Sequence, residues 1–379
     1  MRICVVYDCL YPHTVGGAER WYRNLSGRLA EAGHEVTYLT LRQWDPEVDP
    51  SFDDVCVVAV GPRLELYAGG RRRIWPPIVF GLGVLRHLLR HGREYDVVHT
   101  ASFPYFSLLA AGLARRPGRF RLVVDWHEVW TRRYWREYLG PAGGRLGWWV
   151  QRLCLRIPQR AFCFSQLHAR RVQNEGLRGD VTVLEGQYEG AATAVALPAE
   201  PVVVFAGRHI PEKRPAALVA AVARAREAIP ELRAELYGDG PERETVLGLV
   251  AENGLAGVVE APGFVDGSVV EGALARALCL ALPSRREGYG LVVLEACARG
   301  TPAVVVRDED NAASELIAEA ENGFVAPSAS PEDLAAAILR VHEAGDALRR
   351  STLAWFRANE ERLSLRGSLD AVLRSYGAG

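Results

Sequence analysis

The chain has 379 residues, of which 49% are hydrophobic and 24% charged, and its formal net charge is −1. That length accommodates two ordinary α/β domains with separate cores, and the balanced charge speaks against a nucleic-acid partner. No run of about 18 uncharged apolar residues occurs, so no membrane span is expected. The seven scattered cysteines have no metal-ligand spacing and fit a reduced, cytoplasmic protein without structural zinc.

Residues 3–8 form a continuous apolar run, as in a buried parallel strand. A loop ending in Gly16-Gly17 follows, then a helix with apolar residues at Trp21, Leu25 and Leu29, and Glu35 opens the next strand. The two glycines at the helix start suit a phosphate or sugar, although a plain tight turn explains them as well. No G-x-G-x-x-G follows the first strand, so a dinucleotide fingerprint is absent. Alternation continues with strands over 55–60, 97–100, 122–125, 161–165 and 181–184 and helices over 78–90, 103–113, 146–155 and 166–175. Strands alternating with helices imply a parallel sheet covered on both faces, with ligands beyond the carboxyl ends of the strands. His127 leaves such a strand end in Asp-Trp-His-Glu, where a hydrogen-bonded structural histidine and a ligand contact are both admissible.

Residues 186–201, rich in Gly, Ala and Pro and without periodicity, read as a linker. A second alternation follows, with strands over 202–206, 234–237, 258–261, 278–282 and 303–306 and helices over 215–228, 242–253, 268–275 and 312–320. The first of these strands exits into Gly207-Arg208, with Lys213 five residues further on. Two cations around one turn repel each other unless an anion lies between them, and a diphosphate is such an anion. Lys213 is the only lysine among 45 basic residues.

The stretch 282–300, LPSRREGYGLVVLEACARG, reads as a strand end, a tight turn and a helix beginning near Tyr289. Glu287 precedes the turn and Glu295 lies on the helix. Gly288 and Gly290 let the backbone approach a ligand, and the N–H groups at Leu291 and Val292 offer an anion seat. Phosphate at one end and hydroxyls at the other describe a nucleotide sugar.

This stretch resembles the Glu-x7-Glu signature of retaining glycosyltransferases, family 4 in particular, with Tyr289 where phenylalanine is usual. The resemblance implies the type B fold, two Rossmann-like doubly wound parallel-sheet domains facing a cleft. The expected domains are 1–190, binding acceptor, and 200–354, binding the nucleotide sugar, with a C-terminal helix of about 355–379 packing back on the first. It also implies that Glu287 addresses the donor-sugar hydroxyls, Glu295 the ribose, Arg208 and Lys213 the diphosphate, and His127 the sugar near the transferred carbon. Gly16 and Gly17 match the family's Gly-Gly loop. Gly238, in Gly-Asp-Gly-Pro, and Val265, in Pro-Gly-Phe-Val, match its remaining donor elements. Two departures stand out: Arg214 occupies a place where glycine is usual, and residues 307–312 replace a glycine-rich turn.

The expected activity is transfer of a hexose-type sugar from a UDP- or GDP-type donor, with retention and without metal or further cofactor. A front-side displacement within an ion pair is the favoured mechanism. An epimerase or phosphorylase on the same fold, and a non-catalytic nucleotide-sugar-binding module, are the alternatives. The acceptor stays open among small-molecule, glycan and lipid-linked classes. Arg71–Arg73 with Trp75, Arg132–Arg136 and Trp148-Trp149 make the first domain basic and aromatic. That pattern fits peripheral contact at the inner membrane surface, but core tryptophans beside solvated arginines fit it better.

Overall fold

The computed structural model describes residues 1–14, 16–45, 47–68, 71–115 and 120–377, except for the side chains of Tyr67, Ala68 and Arg71. The expected contributions of the Arg71 side chain and of residues 378–379 therefore lie outside the described residues, as does Val15 in the Gly16-Gly17 loop. The chain divides into two compact units, Met1–Glu185 with Arg366–Gly379, and Gly186–Leu365.

The first unit holds a seven-stranded parallel sheet: β1 (Arg2–Val6), β2 (Glu35–Leu41), β3 (Val55–Gly61), β4 (Val97–Ala101), β5 (Arg121–Trp126), β6 (Arg160–Cys163) and β7 (Val181–Val183), in the order β3-β2-β1-β4-β5-β6-β7. The inner strands are apolar runs covered on both faces, such as the fully buried Ile3–Val6. The chain moves one way across the sheet from β1 to β3 and the other way from β4 onward. Right-handed crossovers therefore put helices Trp75–His91, Phe106–Ala114 and Arg132–Leu155 on one face and helix Gly17–Glu31 on the other. Helix Leu365–Gly377 joins the latter face, where Asp370 pairs with Arg28 at 3.0 Å.

The second unit repeats the plan with β8 (Val202–Ala206), β9 (Arg233–Tyr237), β10 (Val259–Gly263), β11 (Cys279–Leu282), β12 (Ala303–Val306) and β13 (Gly323–Ala326), in the order β10-β9-β8-β11-β12-β13. In both units the strand order reverses beside the first strand, between β1 and β4 and between β8 and β11. The carboxyl ends at such a reversal are where ligands of open α/β sheets bind.

Several elements differ from the sequence reading, among them the helix expected over 146–155, which begins already at Arg132. The helix expected over 312–320 is a short 3-10 turn, Ala312–Leu316. Strand β13 (Gly323–Ala326) was not anticipated. The helix expected from about 355 begins at Pro331, capped by Ser330, and runs to Leu363 with a kink at Gly345. Only the following helix, from Leu365, is grouped with the first unit.

Candidate active site

In the second unit the reversal brings together the segments after β8 and β11. Gly207 and Arg208 leave β8, and the turn at Ile210–Lys213 is closed by the Lys213 N–H donating to the Ile210 carbonyl at 2.9 Å. From the β11 side, the Arg285 N–H donates to the Glu212 carbonyl at 2.8 Å. Lys213 Nζ donates to Glu287 Oε1, and the same oxygen accepts from Ser284 Oγ at 2.8 Å. This ion pair is largely buried, with side-chain exposures of 18% and 9%. Arg208 is exposed, and its guanidinium has no partner among the described residues.

Glu287 is held by more than its own turn. Arg286–Glu287 forms a short parallel ladder with Asp310–Asn311. The Asn311 amide donates to the carbonyls of Ser284 at 3.0 Å and Val306 at 2.8 Å, and its oxygen accepts from the Ala313 N–H at 3.0 Å. Ser284 and Asn311 were missed in the sequence. The signal for Asn311 was its place before Ala-Ala-Ser-Glu, a cap position, read there only as part of a replaced turn.

Beyond Glu287, Gly290 adopts φ 99° and precedes the helix Leu291–Cys297. A side chain at Gly290 would combine a left-handed backbone with a Cβ 2.6 Å from that of Ala313. Gly288 and Tyr289 are half-buried, and Leu291 and Val292 pack in part against the core of the unit. Glu295 is half-buried in the helix, with Arg299 donating to its backbone carbonyl at 2.8 Å. The two glutamates thus occupy different settings, Glu287 locked beneath a lysine and Glu295 on a helix face.

The two departures from the family pattern meet each other. Arg214 has φ 49°, a left-handed conformation that favours glycine. Its guanidinium pairs at 3.1 Å with Asp308, from the acidic turn that replaces the usual glycines. Asp308-Glu309-Asp310 also has Asp-x-Asp spacing, a pattern that can hold a divalent cation. Here Asp308 is engaged by Arg214 and Asp310 is buried in the ladder beside Glu287. Among the described residues no group of three or more His, Cys, Asp or Glu is placed to hold a metal ion.

The other donor elements also follow strand ends. Gly238, after β9, has φ 117°, and a Cβ there would lie 1.9 Å from the Gly207 carbonyl oxygen, so this glycine lets the exits of β8 and β9 pack together. After β10, Val265 is half-buried while Phe264 is 82% exposed.

In the first unit the histidine following β5 sits among aromatic rings. The His127 ring stacks on Phe164 with centroids 4.4 Å apart and planes 2° from parallel, and it meets Tyr22 edge-on at 5.9 Å. Its Nε2 is buried without a partner among the described residues. Burial holds its pKa below the ordinary value of 6.5, against the pull of Asp125 and Glu128. Beneath it, the fully buried Asp125 accepts from Trp21 Nε1 at 2.7 Å and lies 2.8 Å from His99 Nε2; His99 Nδ1 reaches the Tyr376 hydroxyl. Burial would raise the Asp125 pKa, but His99 and its other partners hold it below the usual carboxylate value. His99, read as structural, ties β4 to β5 and to the last helix.

Gly16 precedes helix Gly17–Glu31, and the Glu19 carboxylate folds so close to it that a Cβ there would lie 2.3 Å from Oε2. Gly17 faces open space. The basic and aromatic residues split in a way the sequence reading did not anticipate. Trp135 belongs to the core at 4% exposure, whereas Trp75 and Trp149 are 65% and 58% exposed. Trp148 is half-buried, with the guanidinium carbons of Arg132 and Arg152 5.1 and 4.9 Å from its ring centre.

Residues 15–186 match the family described as Glycosyltransferase Family 4, and residues 194–352 match Glycosyl transferases group 1. The lipopolysaccharide core biosynthesis glycosyltransferase LpsE of Rhizobium meliloti is 30% identical over 336 residues, 86% of this chain and 85% of that protein. Among solved structures, sucrose-phosphate synthase from Thermosynechococcus elongatus aligns over 100% of this chain and 98% of its own, with a TM-score of 0.81 at 20% identity. Anabaena HepE, solved in complex with UDP, aligns over 100% of both chains, with a TM-score of 0.75 at 17% identity. The two parallel-sheet units therefore have the type B glycosyltransferase fold. The chain belongs to the glycosyltransferases, with its first unit in family 4.

Proposed function

We propose that this glycosyltransferase moves a hexose-type sugar from a nucleoside diphosphate sugar to an acceptor hydroxyl, with retention of configuration and without a bound metal. The observation that carries this reading is the cationic edge of the second sheet. There the exposed Arg208 stands one turn from Lys213, which is itself set by Glu287.

Cleavage of the donor builds negative charge on the departing nucleoside diphosphate. A cation already fixed in a largely buried setting takes up that charge with little reorganisation, generally the largest single source of rate enhancement. Lys213 is such a group, and Arg208 supplies a second charge free to meet the phosphates. Glu287 serves twice, orienting Lys213 through one oxygen and offering its other to donor-sugar hydroxyls, while Glu295 meets the ribose. The backbone at Gly288–Val292 lines the donor, and Gly238 and Val265 border the nucleotide. In the first unit Gly16, Gly17 and His127 face the transferred sugar; an imidazole kept neutral by burial accepts or donates one hydrogen bond there without adding charge. With no carboxylate assigned as nucleophile, front-side departure and attack within an ion pair is the preferred course.

A UDP-type donor is favoured over GDP because HepE was solved with UDP and with UDP and glucose. A glycan or lipid-linked acceptor is favoured by LpsE, named for lipopolysaccharide core biosynthesis. Such a donor and acceptor fit a cytoplasmic enzyme. The test is to incubate the chain with UDP- and GDP-sugars, with and without a panel of glycan acceptors, in the presence of a chelator. Nucleoside diphosphate release that depends on acceptor, with a product of the donor's anomeric configuration, is expected. An inverted product, an absolute need for added metal, or conversion of the donor sugar without transfer would overturn the corresponding part of the proposal.

A further inference from the structure

The first unit carries a surface apart from the residues assigned above to sugar transfer. Helices Trp75–His91, Phe106–Ala114 and Arg132–Leu155 lie on one face of its sheet. They are close neighbours. A Cβ on Gly81 of the first would lie 2.6 Å from Phe106 Cβ of the second, and one on Gly112 of the second would lie 2.7 Å from Ile157, just past the third. Their inner sides form core, and their outer sides are apolar in a regular pattern. Trp75, Leu82 and Leu89 are 65%, 62% and 48% exposed, and their spacing of seven residues aligns them along one helix stripe. The third helix is broken at Gly140 (φ 75°), and on its second segment Leu146, Trp149 and Leu153 are 68%, 58% and 54% exposed at i, i+3 and i+7, again one stripe. Leu113, 73% exposed, comes from the helix between them.

The charge on this layer is as one-sided as its apolarity. Residues 66–93, 97–124 and 138–174 contain no aspartate or glutamate. Within the three helices the one acidic residue is Glu137, and it is paired with Arg133 at 2.9 Å. The exposed Arg145 adjoins the Leu146–Trp149–Leu153 stripe, and the exposed Arg86 and Arg90 flank Leu82 and Leu89. Helix Gly17–Glu31, on the opposite face, carries Glu19 and Glu31. A chain with net charge −1 thus keeps a single, paired acid in these three helices while leaving leucine and tryptophan outward there.

We propose that this layer docks on an anionic lipid surface, with Leu82, Leu89, Leu146, Trp149 and Leu153 entering the headgroup region and the arginines meeting phosphates. Charge complementarity selects this occupant, because a face rich in arginine, whose acids Glu137 and Glu175 are engaged by Arg133 and Gln151, gains from anionic headgroups and is repelled by a second copy of itself. Apolar stripes rimmed by arginine are the composition of a helix lying in a membrane interface, and tryptophan favours that depth. The inference builds on the proposed transfer only in bringing the enzyme to a lipid-linked acceptor, and its test needs neither donor nor acceptor.

The full chain is sedimented with vesicles of phosphatidylcholine alone and with vesicles of equal parts phosphatidylcholine and phosphatidylglycerol. Binding to the second and not the first is expected, with release as salt screens the arginines. Trp149→Asp combined with Leu153→Asp should weaken vesicle binding by at least about tenfold. Both positions are exposed, so unchanged circular dichroism and nucleoside diphosphate binding establish that the variant is folded. Leu247→Asp, at an exposed site in the second unit, should bind vesicles as the native chain does. Absence of binding to anionic vesicles, or equal binding by native and doubly substituted chains, overturns the proposal. So does a native dimer in sedimentation that the double substitution dissolves, which would assign the face to a second copy.

Discussion

At the reversal of the second sheet, charges are paired across strands, Lys213 to Glu287 and Arg214 to Asp308, and Arg208 is left facing solvent. The same place in the first sheet hides its charges. Asp8 is fully buried against Arg72, Asp125 is fully buried against His99, and His127 is stacked on Phe164 with its pKa held down by burial. Strand order and reversal are shared, so topology does not set this difference. What sets it is the handful of residues after each strand. One edge leaves an arginine exposed beside its paired charges, and the other keeps a histidine among aromatic rings.

The sharpest way to break this contrast is to change the shape of the second unit's buried cation without changing its charge. Lys213→Arg replaces a compact ammonium, bonded to Glu287, with a broad planar fork in a space only 18% exposed. Turnover at saturating donor should fall by about 10²-fold or more, the scale of losing one transition-state donor. Activity within a few-fold of native would mean that charge alone matters there. It would also make the position of the chain's single lysine an accident of composition.

Next in size is the division between the two glutamates. Glu295→Ala should weaken binding of bare nucleoside diphosphate by about 1.5–3 kcal/mol, the usual worth of a hydrogen bond to a charged group. Glu287→Ala should leave that affinity nearly unchanged while cutting transfer, as expected if its carboxylate addresses the donor sugar rather than the nucleotide. Calorimetry with the nucleotide alone separates them, and equal losses would erase the division.

The first unit's edge is tested at His127. His127→Ala should lower turnover by about tenfold, one hydrogen bond's worth, with nucleotide affinity little changed. The pH dependence has a definite sign. Because the folded pKa lies below the ordinary 6.5, the unfolded chain takes up a proton first as pH falls. Stability is therefore lost as pH drops from 6.5 through the folded value. His127→Phe should keep the stack on Phe164 and make the acid limb of the stability curve shallower. An unaltered limb would mean that the ring is not held neutral by burial.

The sequence carried the second unit better than the first, for a physical reason. Cations, carboxylates and glycines at strand exits leave local spacing that can be read directly, as at Arg208, Lys213, Glu287 and Gly290. The supports of that site were illegible because they act through space. Ser284 and Asn311 stand 27 residues apart, and a single carbonyl bond joins them. Trp75 and Trp149 read like core residues, since an outward tryptophan and an inward one have the same helical spacing until neighbouring helices are placed. Arg214 and Asp308 each looked like an unrelated deviation.

That last pair yields the smallest effect and the most exact check on whether the second unit's charges act as couples. Arg214 holds a left-handed backbone that costs a non-glycine residue roughly 1–2 kcal/mol. Arg214→Gly removes that cost but loses the ion pair and loosens the unfolded chain, so the three contributions nearly cancel. Stability should stay within about 0.5 kcal/mol of native. Asp308→Ala alone leaves the strained arginine without its partner and should cost about 0.5 kcal/mol, modest because the pair is partly exposed at 31% and 23%. In the Arg214→Gly background the same aspartate substitution should cost nothing, since there is no guanidinium left to release. Denaturant unfolding of the four proteins closes the cycle. Equal costs of Asp308→Ala in both backgrounds would show that the two departures are independent, and that the charges at this edge are paired only at Lys213.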